Sequence, residues 1–406
     1  AALGVVAALH AAGHEAWFVG GCVRDRLLGR PVNDWDVATD ALPEAVLALF
    51  RRAVPTGLQH GTITVVDDGL HVEVTTFRVE RGYSDGRHPD AVHYTRVLAD
   101  DLSRRDFTIN AMAWDPQADL VVDPFGGRDD LTARRVRAVG DAIARFSEDG
   151  LRPMRAIRFA TVLDFALDPA TRDAIPETLA TFRKVSAERV QVELVKTLRA
   201  PRAAWGLAAL RDTSLLAEFW PEVAAMPPDA WRVSLAALQE APSGLVPRLA
   251  IMLHDVADAD APMRRLKFSN AERRDTLHLL RFRDEAPGAA RDDAAVRRLV
   301  ASVGRGAVAE WFAYRAARAD APAWAALWAR AIELGALTGP HATRELPVDG
   351  QDVMRALGLP PSPRVGRILD ALLERAWAQP ELAQDRDALL ALLPVVDAAL
   401  GGEVRP

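Results

Sequence analysis

An apolar strand that runs into two glycines and is soon followed by an Asp-x-Asp pair constrains the fold more than any other segment. Residues 16–19 read Ala-Trp-Phe-Val, Gly20 and Gly21 come next, and Asp34 and Asp36 follow a short arginine-bearing helix. Because side chains alternate along a strand, Asp34 and Asp36 are expected on one face, where their like charges require a cation. Oxygen ligands favour Mg²⁺, and glycines at a helix start let a phosphate approach the backbone. The segment therefore predicts a triphosphate site beside a metal site.

Composition limits the class of protein. The chain has 406 residues, half of them hydrophobic, which at about 100–200 residues per domain predicts two to four domains. Its formal net charge of −6 means that nucleic-acid binding would need a local basic face. Cys22 is the only cysteine, which excludes a disulfide within the chain and a cysteine zinc site. No apolar run approaches the ~20 residues of a membrane span and no leader pattern is visible, so we expect a cytoplasmic protein.

Hydrophobic patterning divides the chain near residue 138. Beyond this point helical periodicity, interrupted by prolines, continues to the end. Before it the pattern is mixed, and an Asp-Asp-Gly turn predicts a hairpin. The fold class we predict is an α/β head with a mixed sheet, followed by an all-α arm. The predicted strands are Trp17–Gly20, Asp34–Ala38, Thr62–Val66, Val72–Phe77 and Leu120–Val122.

Charged residues elsewhere in the head are candidates for binding a nucleotide or the metal beside it. Glu73 becomes a third carboxylate at the metal site if its strand neighbours the strand of Asp36; otherwise it is an exposed strand residue. Arg105 can hold a phosphate and Asp106 can accept from a ribose hydroxyl. The same pair is also typical of an ordinary helix start with charge pairs, so both interpretations stay open.

Residues 147–159 form the second most informative segment. We predict one helix here, on which charged residues three and four apart share a face, with a slight kink caused by Pro153. Cytosine and adenine both present an amino donor beside a ring-nitrogen acceptor, whereas uracil and guanine present the reverse pattern. Asp149 can accept from the amino group while Arg152 donates to the ring nitrogen, and the wrong base would leave buried groups unpaired. The alternative is a solvated, salt-bridged helix face.

Taken as a set, these segments resemble the class II tRNA nucleotidyltransferase (CCA-adding) and bacterial poly(A) polymerase family. The resemblance covers roughly residues 15–200 and rests on motifs that begin at Gly20, Asp34, Arg104, Asp123, Glu148 and Glu188. It implies a polymerase-β-like nucleotidyltransferase head, followed by a helical neck that selects the nucleotide, a body, and a tail that binds tRNA. We place these domains at residues 1–138, 139–200, 201–275 and 276–406.

The family resemblance also implies roles for individual side chains. Asp34 and Asp36 would bind two catalytic Mg²⁺ ions, and Glu73 is a candidate third catalytic carboxylate. The residues implied to bind the nucleotide are Gly20, Gly21, Arg24, Arg105, Asp106, Asp149, Arg152, Arg155 and Arg158. The implied reaction adds CCA to tRNA 3′ ends from CTP and ATP and releases pyrophosphate. It needs no nucleic-acid template, and we expect no membrane partner. Residues 81–90 fall where the family has a flexible element linked to the switch from C to A addition.

Other activities stay open from the sequence. The motifs do not separate full CCA addition from CC-only addition, A-only addition or poly(A) synthesis. A catalytically dead RNA-binding module belongs to another class, and the presence of both aspartates and the arginines argues against it. His254 and Asp255 resemble the metal pair of HD phosphohydrolases, but the further ligands that such a site needs are missing. We interpret that pair as a structural remnant.

Overall fold

The computed structural model describes residues 1–57, 61–67, 69–83, 86, 91–288 and 291–401. It divides into two compact units, Ala1–Met226 with Arg265–Lys267, and Pro227–Arg264 with Phe268–Pro406. The first unit holds the strands and the second is helical, which confirms the predicted α/β head followed by helices. The finer division into four domains stays a prediction. Within the described ranges, no helix combines the length and the apolar character needed to cross a membrane.

A mixed sheet forms the centre of the first unit. In the described residues it has seven strands in the order β3-β4-β5-β2-β1-β8-β9, and β6-β7 and β10-β11 form two small separate sheets. Among the described strands of the large sheet, β2 and β5 pair in parallel and the other neighbours pair antiparallel. The strands are β1 Ala16–Val19, β2 Trp35–Thr39, β3 Ala53–Gly57, β4 Thr62–Asp67, β5 Leu70–Thr76, β6 Arg78–Arg81, β7 Ala91–Tyr94, β8 Ala113–Asp115, β9 Leu120–Val122, β10 Arg135–Val136 and β11 Ala166–Leu167.

The five strands predicted from sequence are confirmed as β1, β2, β4, β5 and β9, each within two residues of the expected bounds. The hairpin of β4 and β5 is also confirmed, with Asp67 opposite Leu70. Fully buried Phe18, Val37 and Val74 lie on the central strands and anchor the sheet in the core. The parallel register of β2 and β5 sets Asp36 beside Glu73. Glu73 is therefore a neighbour of Asp36, and its part in a metal site stays a prediction.

Helices cover the sheet and continue beyond it in the first unit. Helices α7, α10 and α11 pack together after the sheet, whereas α1 and α3 pack on its strands. A 3₁₀ turn spans Thr108–Asn110. The helices are α1 Ala2–Ala11, α2 Gly21–Leu27, α3 Pro43–Leu49, α4 Leu98–Ser103, α5 Gly127–Thr132, α6 Ala142–Glu148, α7 Arg152–Leu163, α8 Pro169–Glu177, α9 Leu179–Phe182, α10 Ala187–Arg199, α11 Ala203–Asp212, α12 Leu215–Phe219 and α13 Pro221–Ala224.

The continuous helix predicted across residues 147–159 is wrong. Helix α6 ends at Glu148 and α7 begins at Arg152, with Asp149 in extended backbone between them. Pro153 lies in the first turn of α7, where a missing N–H breaks no helical hydrogen bond, so the predicted kink does not arise. Asp149 therefore belongs to a turn between two helices, rather than to a helix face shared with Arg152.

The second unit is built from helices around apolar cores. Trp311, Phe312 and Trp324 stack edge-to-face with ring centroids 5.1–5.9 Å apart. Two 3₁₀ turns, Thr343–Glu345 and Pro380–Ala383, accompany the later helices. These helices are α14 Pro228–Glu240, α15 Leu245–Leu253, α16 Asp260–Arg265, α17 Asn270–Arg281, α18 Asp293–Val303, α19 Val308–Arg318, α20 Ala321–Glu333, α21 Gly350–Leu357, α22 Pro363–Ala378 and α23 Arg386–Ala399.

His254 and Asp255 lie just after α15 and are paired with neighbouring side chains. His254 Nδ1 is hydrogen-bonded to the Tyr314 hydroxyl, and Asp255 accepts from Arg318 at 2.9 Å. Burial, together with the Arg318 charge, lowers the pKa of His254 to about 4. Across the described residues, no group of three or more His, Cys, Asp or Glu side chains is arranged to hold a metal. The structural interpretation of the pair agrees with these contacts.

The start of α5 offers a test of how this helix packs on the 3₁₀ turn Thr108–Asn110. A Cβ on Gly127 would lie 2.3 Å from the carbonyl oxygen of Thr108. Gly127→Ala therefore pushes the backbone of α5 away from that of Thr108 and should destabilise the chain by about 1–3 kcal/mol. Gly4→Ala is the matched control, because Gly4 lies in α1 with only an ordinary contact at 3.8 Å, and it should stabilise by about 0.5–1 kcal/mol. Denaturant unfolding followed by circular dichroism measures both. Equal effects at the two positions would contradict the packing described here.

Candidate active site

A cleft of about 380 Å³ opens in the first unit between α2, the start of β2, residues 105–110 and α7. It brings together many of the residues predicted from sequence, although they are spread over more than a hundred positions. Glu73, Asp149 and Arg152 are the predicted residues that do not line it. Those that do are Gly20, Gly21, Arg24, Asp34, Asp36, Arg105, Asp106, Arg155 and Arg158.

Carboxylates gather at the end of the cleft formed by β2. Asp34 is exposed immediately before the strand, Asp36 is half-buried on it, and Glu73 is exposed beside Asp36 on β5. Burial raises the pKa of Asp36, and the charges of Glu73 and Asp34 raise it further, against the opposing effect of Arg105. This oxygen-only donor set, with an excess of negative charge, fits a divalent cation bound by Asp34 and Asp36. Whether Glu73 is a ligand stays a prediction.

Gly20 makes room for Arg105 at the floor of the cleft. Its backbone has φ +79°, and a Cβ there would lie 2.7 Å from Arg105 Nη1 and 3.6 Å from Asp36 Oδ2. Only glycine combines this conformation with such a close approach. Arg105 is thereby placed near Asp36, and its second terminal nitrogen, Nη2, lies 3.6 Å from the buried Asp101. The arginine predicted to contact the nucleotide thus lies within the same cleft as the predicted metal ligands.

A hydrogen-bonded network joins Arg24 to Arg155 across the cleft. Arg24 donates to Asn110 Oδ1 at 2.6 Å, and Asn110 donates to Asp106 Oδ1 at 3.0 Å. Asp106 also accepts from the Phe107 amide at 2.8 Å and from Arg155 at 2.7 and 2.9 Å. Burial opposes ionisation of Asp106, but Arg155 and these hydrogen bonds hold its pKa well below the usual range. Four donors fill the acceptor capacity of a carboxylate, so a ribose hydroxyl would have to displace one of them.

Arg158 is a buried residue of α7 and pairs with a side chain of the later helix α10. It donates to Glu193 at 2.7 Å, and both side chains are buried. Burial lowers the pKa of Arg158, as does the charge of Arg155, while Glu193 opposes the shift. The amphipathic pattern of α10 predicted packing alone. The structure shows that its buried glutamate supports a residue of the cleft.

The two side chains predicted to read the base are each paired with another residue. Asp149 accepts from Arg189 at 2.8 and 3.1 Å and from the Leu151 amide at 3.0 Å. Arg152 donates to Glu148 at 2.5 Å and to the backbone carbonyls of Arg104 and Arg145, both at 2.9 Å. Neither lines the cleft, so their role in base selection stays a prediction. Residues 84, 85 and 87–90 of the predicted flexible element lie outside the described residues.

Asn110, Phe159 and Glu193 contribute to the cleft without having been assigned a role from sequence. Asn110 and Phe159 line it, and Glu193 holds Arg158 from behind. Asn110 and Glu193 belong to motifs on which the family resemblance rests, and Phe159 ends the 147–159 segment, which is the signal that was available. The missing information was spatial, because the partners of Asn110 and Glu193 are 86 and 35 residues away along the chain.

The Asp106–Arg155 pair gives a stability prediction with a defined pH dependence. Because the pKa of Asp106 is depressed by folding, its contribution is present above the unfolded pKa of about 3.9 and is lost as pH falls. Arg155→Met leaves this buried carboxylate without its counter-charge and should destabilise the chain by about 3 kcal/mol at pH 7. The pKa of Asp106 then rises, so the deficit relative to the unsubstituted chain should shrink as pH is lowered.

Unfolding free energies of the two chains, measured from pH 7 down to about pH 3, follow this difference through the range in which Asp106 titrates. Arg172→Met is the matched control, since Arg172 is exposed and pairs only with exposed Asp173, and its effect should be about 0.5 kcal/mol or less. A deficit for Arg155→Met that is independent of pH would contradict the assignment to Asp106.

Comparison with known proteins assigns the chain to a family. Residues 16–137 match the Poly A polymerase head domain, and residues 164–226 match the probable RNA and SrmB-binding site of polymerase A. A CCA-adding enzyme of Geobacillus stearothermophilus is 37% identical over 397 residues, which cover 97% of this chain and 96% of that enzyme. Another, from Geobacillus sp. (strain WCH70), is 50% identical over 214 residues, or 53% of each chain.

Solved structures agree with the sequence matches. A Bacillus stearothermophilus CCA-adding enzyme in complex with CTP has a TM-score of 0.79 at 34% identity and covers 98% of both chains. A Thermotoga maritima CCA-adding enzyme complexed with tRNA, at 18% identity, shares the fold with a TM-score of 0.70 over 98% of this chain and 94% of that one. The chain therefore belongs to the family of CCA-adding enzymes, nucleotidyltransferases that use divalent metal ions.

Proposed function

We propose that this chain adds CCA to the 3′ ends of tRNA from CTP and ATP, without a nucleic-acid template, and releases pyrophosphate. The observation that carries the proposal is one cleft in which Asp34 and Asp36 lie together with Arg24, Arg105, Arg155 and Arg158. Acidic side chains suit a metal, and guanidinium groups suit a triphosphate. Because the substrate is tRNA, we place the activity in the cytoplasm. In this proposal residues 139–200 select the nucleotide, and residues 276–406 bind the tRNA.

Mg²⁺ is the divalent ion that the donor set favours. Asp34 and Asp36 offer only oxygen ligands, and a site with two carboxylates leaves positions for water and substrate phosphates, as Mg²⁺ prefers. When bound, Mg²⁺ would supply Lewis acidity that activates the tRNA 3′-hydroxyl and offsets charge on the leaving pyrophosphate. The side chains of Asp34 and Asp36 would hold the ion at the start of β2.

The arginines of the cleft position the phosphates. Arg24 and Arg155 are fixed by Asn110 and Asp106, so their forks are oriented before a nucleotide arrives. Held in this way, the α-phosphorus is attacked by the tRNA 3′-oxygen, which forms a new P–O bond and releases its proton. The bond between the α-phosphorus and its bridging oxygen to the β-phosphorus breaks, and pyrophosphate leaves.

Base selection by Asp149 and Arg152 would proceed by exchange of partners. Asp149 would leave Arg189 to accept from an amino group, and Arg152 would leave Glu148 to donate to a ring nitrogen. Cytosine and adenine replace the lost hydrogen bonds, whereas uracil and guanine would leave both charged groups unpaired. An unpaired buried polar group is costly, so the exchange itself favours the correct bases.

The first prediction for this function concerns products on three tRNAs, ending at the discriminator base, at C, and at CC. With Mg²⁺, CTP and ATP, we expect each to be extended to CCA and then to stop, as read by product sequencing. Asp34→Ala should lower the rate by about 1,000-fold or more, because several kcal/mol of transition-state stabilisation pass through the metal it holds. Asp129→Ala, at an exposed position on α5, is the matched control and should retain activity.

Each other product pattern identifies a different activity. Arrest at CC, or action only on the CC-ended tRNA, would make the chain a CC-adding or an A-adding enzyme. Long A-tails would indicate a poly(A) polymerase. No extension at all would favour an RNA-binding module, and full activity of Asp34→Ala would refute the metal assignment.

The second prediction concerns pH and the carboxylates. Because the pKa of Asp36 is raised, protons compete with the metal, so the Mg²⁺ concentration for half-maximal transfer should fall as pH rises. Glu73→Gln removes a neighbouring negative charge, lowers the pKa of Asp36, and should move this dependence to lower pH. The measurement is the initial rate of CTP incorporation over a grid of pH and Mg²⁺ concentration. If Glu73→Gln instead raises the Mg²⁺ concentration for half-maximal transfer at every pH, Glu73 is a metal ligand. If the substitution changes nothing, Glu73 has no role in the site.

A further inference from the structure

We propose that Phe159 is a positioning residue for the triphosphate, because the face of its ring gathers the guanidinium groups that line the cleft. The inference deepens the proposed function and rests on it. Arg158 lies over the ring with its guanidinium carbon 3.4 Å from the ring centroid. The corresponding distances for Arg24 and Arg155 are 5.1 and 5.2 Å. In the part of the chain that the structure describes, one aromatic ring is thus shared by three arginines of the same cleft.

Three guanidinium groups close together repel one another. Each has an acidic partner: Asp25 for Arg24 at 2.8 Å, Asp106 for Arg155 at 2.7 Å, and Glu193 for Arg158 at 2.7 Å. Additional carboxylates would stabilise the arginines further, but they would also cancel the positive charge that attracts a phosphate. An aromatic face offers negative potential without net charge. Phe159 therefore holds the arginines together and leaves their charge available to the nucleotide.

The ring of Phe159 is itself fixed in place. Phe159 is 6% exposed, and its ring meets that of Phe107 edge-to-face, with centroids 5.6 Å apart and planes at 76°. Phe107 is fully buried and its amide donates to Asp106, the carboxylate that holds Arg155. A ring that packs against the core and lies close to three guanidinium groups is suited to orienting them.

The first variant is Phe159→Leu, which keeps an apolar side chain but removes the aromatic face. We expect the KM for CTP and the KM for ATP to rise together by about tenfold, equivalent to about 1.4 kcal/mol, with kcat changed about twofold or less. The triphosphate is common to both nucleotides, so the ratio of CTP to ATP use should be unchanged. A selective loss of one nucleotide would contradict a role at the triphosphate.

A graded series separates the electrostatic role of the ring from its volume. Phenylalanine with one, two or three ring fluorines, incorporated at position 159, lowers the negative potential of the face at nearly constant size. We expect log KM for both nucleotides to rise in step with fluorination, while the thermal unfolding midpoint stays nearly constant. The same series at Phe146 is the matched control, since that ring is fully buried on α6 and, in the described residues, no guanidinium lies over it.

The outcomes separate this inference from the function on which it rests. A flat KM across the fluorinated series, in a chain whose unmodified form adds nucleotides to tRNA, would overturn the role of Phe159 alone. A parallel rise at Phe146 would also overturn it, because fluorination would then act through packing. Failure of the unmodified chain to incorporate CTP or ATP would overturn the proposed function, and this inference with it.

Discussion

Repulsion between like charges is the constraint around which the first unit is organised. A cleft that binds a metal and a triphosphate must concentrate carboxylates at one end and guanidinium groups at the other. Each set is stable only with counter-charges built into the fold. Arg105 lies near Asp36, Asp106 neutralises Arg155, and Glu193 neutralises Arg158. Substrate and metal would then add to groups that the fold already holds in position, so little reorganisation is needed on binding.

These counter-charges tie the sheet to the helices that follow it. Asp106 comes from the segment after α4, whereas Arg155 lies on α7, and Arg158 reaches forward to Glu193 on α10. The pairs bridge 49 and 35 residues of sequence, and they lie within one compact unit that continues well past the sheet. Phe159 adds a contact of another kind, since an aromatic face supports several cations at once. Catalytic architecture and folding of this unit therefore depend on the same interactions.

Local pattern predicted the strongly alternating strands and failed where the deciding contacts are distant. Strands β2, β4 and β5 are predicted within two residues, and so is the three-residue β9. The similarly short β8 and β10 are not predicted, because two or three positions rarely show a period. The single helix predicted across Asp149 was wrong for a related reason. Helical spacing of charges continues through that segment, but the backbone at Asp149 is extended, and its carboxylate is taken by Arg189 from a later helix.

The sequence by itself determined the chemistry of this protein: the Asp-x-Asp pair, the Gly-Gly helix start and the arginine motifs. These depend on residue type and short spacing, which a chain carries without folding. Tertiary structure alone decided which groups share the cleft and which are held away from it. Long-range packing brought Arg24 to Asn110 and to the ring of Phe159, while Asp149 and Arg152 pair with Arg189 and Glu148 outside the cleft. Such choices depend on distances between residues far apart in sequence, and no local pattern encodes those distances.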